Sequence, residues 1–137
     1  MNIPVNYLSV LVATIAGMVV GFIWYGPLFG KTWIRLTKFS QTDINKAKEK
    51  GMGKTYFWAF IVVLIFAYVL ANFVYIWGTE TASEAFQLAF WIWLGFVVTI
   101  QANAVLWGGK PFQLYIIDIA HYLVVLYVMS LILTLWS

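Results

Sequence analysis

The chain has 137 residues, 64% of them hydrophobic and only 9% charged. Soluble domains carry about 25% charged residues, so an ordinary soluble fold is excluded. The absence of cysteine excludes disulfides and thiol chemistry, and the net charge of +3 comes from basic residues gathered in one loop, not from a nucleic-acid-binding face.

Four apolar stretches stand out, at residues 5–25, 56–77, 85–107 and 112–136. Each exceeds the roughly 20 residues a helix needs to cross about 30 Å of hydrocarbon. Backbone groups in lipid must be satisfied within the segment, so these predict helices, and the alternating ten-residue strands of a barrel are missing. The composition predicts one all-α domain over residues 1–137: an integral membrane bundle of four transmembrane helices with a basic cytoplasmic loop.

The first stretch has no basic leader and runs for more than twenty apolar residues, so it reads as a retained span, not a cleaved signal. Ser9, Ala13, Gly17 and Gly21 recur every fourth residue and lie on one stripe. Small-residue stripes let helix backbones approach closely in lipid. This one suits either an oligomer interface or packing against another helix of the same chain. The stretch then runs into Trp24-Tyr25-Gly26-Pro27-Leu28-Phe29-Gly30-Lys31, where Pro27 predicts a break near a membrane face. Trp24, Tyr25 and Trp33 fit an interfacial aromatic belt.

Residues 31–54 hold seven basic side chains against Asp43 and Glu49. Positions 32–39 suit a helix lying in the interface, with Trp33, Ile34, Leu36 and Phe39 toward lipid. Ser40 or Thr42 suits the cap of a second short helix ending near Gly51. The segment reads either as a surface for anionic lipid or a partner, or as an ordinary loop that fixes topology.

In the second helix Ala67 and Ala71 lie one turn apart, with Tyr68 and Asn72 on a neighbouring stripe. Gly78-Thr79 ends it, and Thr81 or Ser83 caps the third. There Gly95, Thr99, Asn103 and Trp107 recur at a spacing of four, with Gln101 nearly opposite. The turn Gly108-Gly109-Lys110-Pro111 is tight, which makes the third and fourth helices antiparallel neighbours, with Pro111 suited to a first helical position. The link between helices two and three carries Glu80 and Glu84 and no basic residue. By the positive-inside rule both termini face outward and the loops holding Arg35 and Lys110 face the cytoplasm.

The last helix carries Asp118 and His121, the latter the chain's one histidine. Each costs about 2.5 kcal/mol or more at mid-membrane unless paired or hydrated. At about 1.5 Å per residue, Asp118 lies about 12 Å from the cytoplasmic end and His121 near the midplane. Asn103, Trp24 and Tyr25 fall in the same half of the bundle, and Tyr115 and Tyr122 flank the Asp–His face. One reading is a structural pair, in which carboxylate and imidazole share a proton and fix helix packing. The other is a proton or cation relay or a substrate contact: Asp118 accepts the proton or cation, His121 tunes or relays, Asn103 orients the ligand, and Trp24 and Tyr25 line the inner mouth. A minor reading is axial ligation of a haem or pigment by His121. Two candidate ligands are too few for zinc, so no metal and no other cofactor is expected. No hydrolase elbow, zinc-protease or phosphate-loop motif is present, and no enzymatic activity is expected.

The Asn-Tyr start, the small-residue helix ending in Trp24-Tyr25-Gly26-Pro27-Leu28-Phe29-Gly30-Lys31-x-Trp33, and Asp118-Ile119-Ala120-His121-Tyr122 together resemble domain of unknown function 1761. That resemblance spans nearly the whole chain. It implies a small multi-helix protein of the bacterial cytoplasmic membrane and no particular activity. The expectation is a homo-oligomer in a lipid bilayer that binds or passes a small solute or proton. The alternative is an accessory or scaffold subunit of a larger membrane complex.

Overall fold

A computed structural model describes residues 5–37 and 53–136. The expected second interfacial helix, capped at Ser40 or Thr42, lies outside the described residues, as does Phe39.

Helix α1, Tyr7–Ile23, starts at Asn6, whose side-chain oxygen accepts from the backbone N–H of Leu8 (3.1 Å) and Ser9 (3.3 Å). Such a cap satisfies donors that the first turn leaves orphaned. At Trp24–Leu28 the helix widens into a π turn around Pro27. Proline has no N–H and its ring collides with the carbonyl four residues back; the wider turn accommodates both. The Phe29 N–H reaches the Trp24 carbonyl, five residues earlier, at 2.8 Å. The predicted break is therefore a widened turn followed by an interruption at Phe29, after which α2 runs over Gly30–Thr37.

Helix α3, Gly53–Trp77, closes with Gly78 at φ 74°. The Gly78 N–H bonds the Tyr75 carbonyl (3.2 Å) and the Thr79 N–H the Val74 carbonyl (3.3 Å), the double closure that a left-handed glycine permits. Helix α4, Ala82–Ile92, is capped by Thr81, whose hydroxyl accepts from the Glu84 N–H at 3.2 Å. A second π turn, Trp93–Val98, joins it to α5, Thr99–Leu106. Helix α6, Phe112–Leu135, follows Pro111, which stands just before the helix and not in its first position.

Four continuous helical spans result, of 22, 25, 25 and 24 residues: Tyr7–Leu28, Gly53–Trp77, Ala82–Leu106 and Phe112–Leu135. Each is long and apolar enough to cross a bilayer. They match the four stretches read from the sequence, with ends displaced by a few residues.

Helix α6 is the axis of the bundle and touches α1, α2, α3, α4 and α5. Leu126, Met129 and Leu133 sit at its centre, against Val10 and Ala13 of α1, Ala67 and Leu70 of α3, and Leu88 and Ala89 of α4. The outward faces carry exposed Val62, Ile65 and Phe73 on α3 and Phe96 and Ile100 on the third span, as expected of surfaces solvated by lipid. Exposed Trp58 and Trp107 mark one end of the spans, and Trp77 and Trp136 the other. Tryptophan gathers at both membrane interfaces because its ring is apolar and its N–H polar.

The Ser9, Ala13, Gly17 and Gly21 stripe is used within the chain. Ser9, Ala13 and Gly17 are buried. A methyl group on Gly17 would come to 3.0 Å from the Met129 sulfur and 3.5 Å from Val63. The stripe is the seam along which α1 meets α6 and α3, so this face is not open to a second copy.

Candidate functional site

Helix α6 brings Asp118, His121 and Tyr122 to the face that meets the first π turn. The Tyr25 hydroxyl donates to Asp118 Oδ1 at 2.5 Å. A hydroxyl donating to a carboxylate makes a short, charge-assisted bond, among the strongest single contacts a buried acid can have. Tyr25 is therefore the partner that lets a carboxylate stand in a membrane span.

The expected Asp118–His121 pair does not form. Both imidazole nitrogens are shut off from the surface, and neither has a hydrogen-bond partner among the described residues. The ring is packed against Tyr25 (centroids 4.9 Å), Tyr122 (4.9 Å) and Trp24 (6.2 Å). Gly21, last of the small stripe, makes room for it: a methyl there would lie 3.5 Å from Nε2. Spacing of three on one helix would allow the pair, but Tyr25 reaches the carboxylate from the first π turn while the imidazole packs among Tyr25, Tyr122 and Trp24. Among the described residues no three His, Cys, Asp or Glu side chains come together.

Two tryptophans hold α6 by its backbone. Trp24 Nε1 donates to the Ile117 carbonyl (3.1 Å) and Trp93 Nε1 to the Ile119 carbonyl (2.6 Å). Each tryptophan opens a π turn. The carbonyls of the second π turn gain side-chain donors: Thr99 Oγ1 to Gly95 (2.8 Å) and Tyr115 Oη to Val98 (2.7 Å). In lipid, a carbonyl loosened from its helix needs such a donor.

Asp118 and Tyr25 open onto a cavity of about 450 Å³, also lined by Trp33, Gln101 and Tyr122. Trp33 turns inward and meets Tyr25 edge to face, with centroids at 6.1 Å, instead of facing lipid as its place on an interfacial helix suggested. Asn103 is not in the site. It is exposed, and its amide donates to the Ile100 carbonyl of its own helix at 3.2 Å. Gln101, which the helical wheel put on the far side, takes its place.

The second π turn explains the exchange. Asn103 lies eighteen residues beyond buried Ala85 (103 − 85), which is five turns at about 3.6 residues per turn, so an unbroken α-helix would place it on the buried face. A π turn inserts roughly one residue into the register and rotates everything after it by about 100°. Asn103 swings out and Gln101 swings in. Sequence reasoning also missed Trp93. A signal was present: Ile-Trp-x-Gly occurs twice, as Ile23-Trp24-Tyr25-Gly26 and Ile92-Trp93-Leu94-Gly95, and each copy spans the start of a π turn.

Fold and site together define a multi-pass helical membrane protein with an acidic, aromatic-walled cavity between its helices. The chain belongs to the family described as protein of unknown function DUF1761, whose profile matches residues 8–134. No curated protein and no solved structure matches the chain.

Proposed function

We propose that this protein binds or passes a small solute or a proton at the Asp118 cavity. One observation carries the reading: a carboxylate inside a membrane-spanning helix, held by Tyr25, faces a cavity of about 450 Å³ and has no basic partner among the described residues. Ionisable groups at such depth are costly, and they mark ion and substrate pathways in membrane proteins more often than they serve packing alone. Asp118 takes the proton or cation, Tyr25 orients the carboxylate, and Gln101 takes the orienting role first assigned to Asn103. His121 supports Tyr25 and Tyr122 from behind, and Trp24 fixes the helix they stand on. The basic loop faces the cytoplasm, the site lies in the inner half of a bacterial cytoplasmic membrane, and several copies assemble together. Purified protein in proteoliposomes tests the reading. pH-dependent flux is expected, and Asp118→Asn abolishes it; unchanged flux in that variant ends the mechanism.

A second reading makes the protein an accessory subunit of a larger complex, with the cluster serving only to lock α6. The indole bonds to the Ile117 and Ile119 carbonyls favour it, because they bind backbone and not ligand. It predicts that Asp118→Asn and His121→Ala lower thermal stability in detergent while no solute moves.

A further inference from the structure

The two sides of α2 meet different surroundings. Trp33 lines the Asp118 cavity, whereas Thr32 and Arg35 border a second groove, of about 470 Å³. Residues three apart share one face of a helix, so Thr32 and Arg35 present their side chains together. The other wall of the groove is the start of α6: Phe112, Gln113, Ile116 and Ile117. The wall is graded with depth. Phe112 and Gln113 stand at the membrane end of their span, and Ile116 and Ile117 follow about 6 Å further in, at about 1.5 Å per residue. Arg35, Phe112 and Ile116 are exposed, so the groove is open to the lipid around the span.

Charge points the same way. All eight basic residues of the chain fall within residues 31–54 or at Lys110, and Glu80 and Glu84 belong to the link at the opposite end. Residues 38–52 bring four lysines against Asp43 and Glu49, so their sum also favours an anion at this end. A guanidinium offers phosphate a planar fork of donors, and a long basic side chain keeps its stem on apolar surface while its head reaches the headgroup level. A free phosphate would leave the isoleucine wall unused. An uncharged chain would leave Arg35 unused, and a zwitterionic headgroup would bring its ammonium into the positive field. We propose that this groove holds one anionic phospholipid, its phosphate on Arg35 with Gln113 and Thr32, and its acyl chain along Ile116 and Ile117. The proposal is independent of the Asp118 reading, because Asp118 lines the first cavity and not this groove.

The test is native mass spectrometry of the full chain in detergent, titrated with phosphatidylglycerol or with phosphatidylcholine of the same acyl chains. One phosphatidylglycerol is expected to bind about fivefold or more tighter than further copies and than phosphatidylcholine. Arg35→Gln should weaken that first lipid about fivefold or more, and Arg35→Lys should recover part of the loss, since it keeps the charge but not the fork. Ile116→Ser leaves the charge untouched and should weaken it about threefold through the lost apolar contact. Lys110→Gln removes an equal charge outside the groove and should leave the affinity within about twofold. Arg35, Lys110 and Ile116 are exposed, so none of these substitutions opens the core. Equal loss in Arg35→Gln and Lys110→Gln would mean a diffuse attraction to the basic end and overturns the proposal. Equal affinity for phosphatidylcholine, or full competition by glycerol 3-phosphate without acyl chains, overturns it too. So does the absence of any preferred lipid, the result expected if another part of the chain fills the groove.

Discussion

A carboxylate sheltered by one phenol is only as secure as that phenol. Tyr25→Phe keeps the tilted ring contact with His121 but removes the donor that Asp118 has among the described residues. Losing one partner of a buried hydrogen bond costs about 1–3 kcal/mol; thermal unfolding in detergent should register it, with Asp118→Asn relieving much of the loss in the double variant. Ser130 makes the opposite case. Its hydroxyl is buried in the core with no hydrogen-bond partner among the described residues, so Ser130→Ala should leave stability unchanged or raise it. Glycines divide in the same way. A methyl on Gly30 would lie 2.7 Å from the Tyr25 carbonyl, a backbone atom that cannot step aside. Gly30→Ala should therefore destabilise the first π turn and loosen the cavity rim. At Gly17 the nearest atom is the flexible Met129 side chain, so alanine should be tolerated, whereas valine should cost about 1–3 kcal/mol through overpacking. Asp118, His121, Trp24 and Tyr25 were legible as candidates because ionisable and amphipathic residues stand out in an apolar run. Their pairing was not, since it depends on which helix approaches α6.

At the scale of elements, the π turns set the site. Long apolar runs located all four spans, and glycine, proline and threonine signals located their ends, because these depend on local composition and backbone chemistry. The added residue of a π turn leaves no mark on periodicity over so short a stretch. The helical wheel therefore failed beyond Trp93 and chose Asn103 over Gln101. The chain has no native cysteine, which makes single-cysteine labelling clean. Gln101→Cys should react with a water-soluble maleimide much faster than Asn103→Cys, because one faces the cavity and the other the apolar exterior. Deleting Leu94 should restore an α register and reverse that order. Equal rates in both backgrounds would mean that the second π turn does not control the face.

At the scale of the molecule, the last helix packs most intimately against the first, more than a hundred residues away in sequence at Gly17 and Met129. The proposed orientation rests on charge bias in the loops. With Glu80→Cys and Lys110→Cys as probes in intact cells, the first should label from outside and the second only after permeabilisation. The reverse pattern would place the basic loop outside and put the Asp118 cavity in the other half of the bilayer. Since the small-residue stripe is spent within the chain, any second copy must dock on another face. The proposed assembly of copies is tested by cross-linking: cysteines on exposed faces, such as Val62→Cys and Ile65→Cys on α3, can report contacts between copies, whereas cysteines at the buried Ala13 and Gly17 should not.

By itself the sequence determined the solvent, the number of spans, their ends, and the small set of polar residues that oil makes conspicuous. These follow from transfer energies and backbone hydrogen bonding, which each segment settles alone. Only the tertiary structure decided that Asp118 bonds Tyr25 and not His121, that Gln101 and not Asn103 faces the cavity, and that the stripe of α1 is an internal seam. Each of those depends on how one helix is rotated against another. That rotation is fixed by two widened turns and by contacts between residues distant in the chain, and no single segment encodes it.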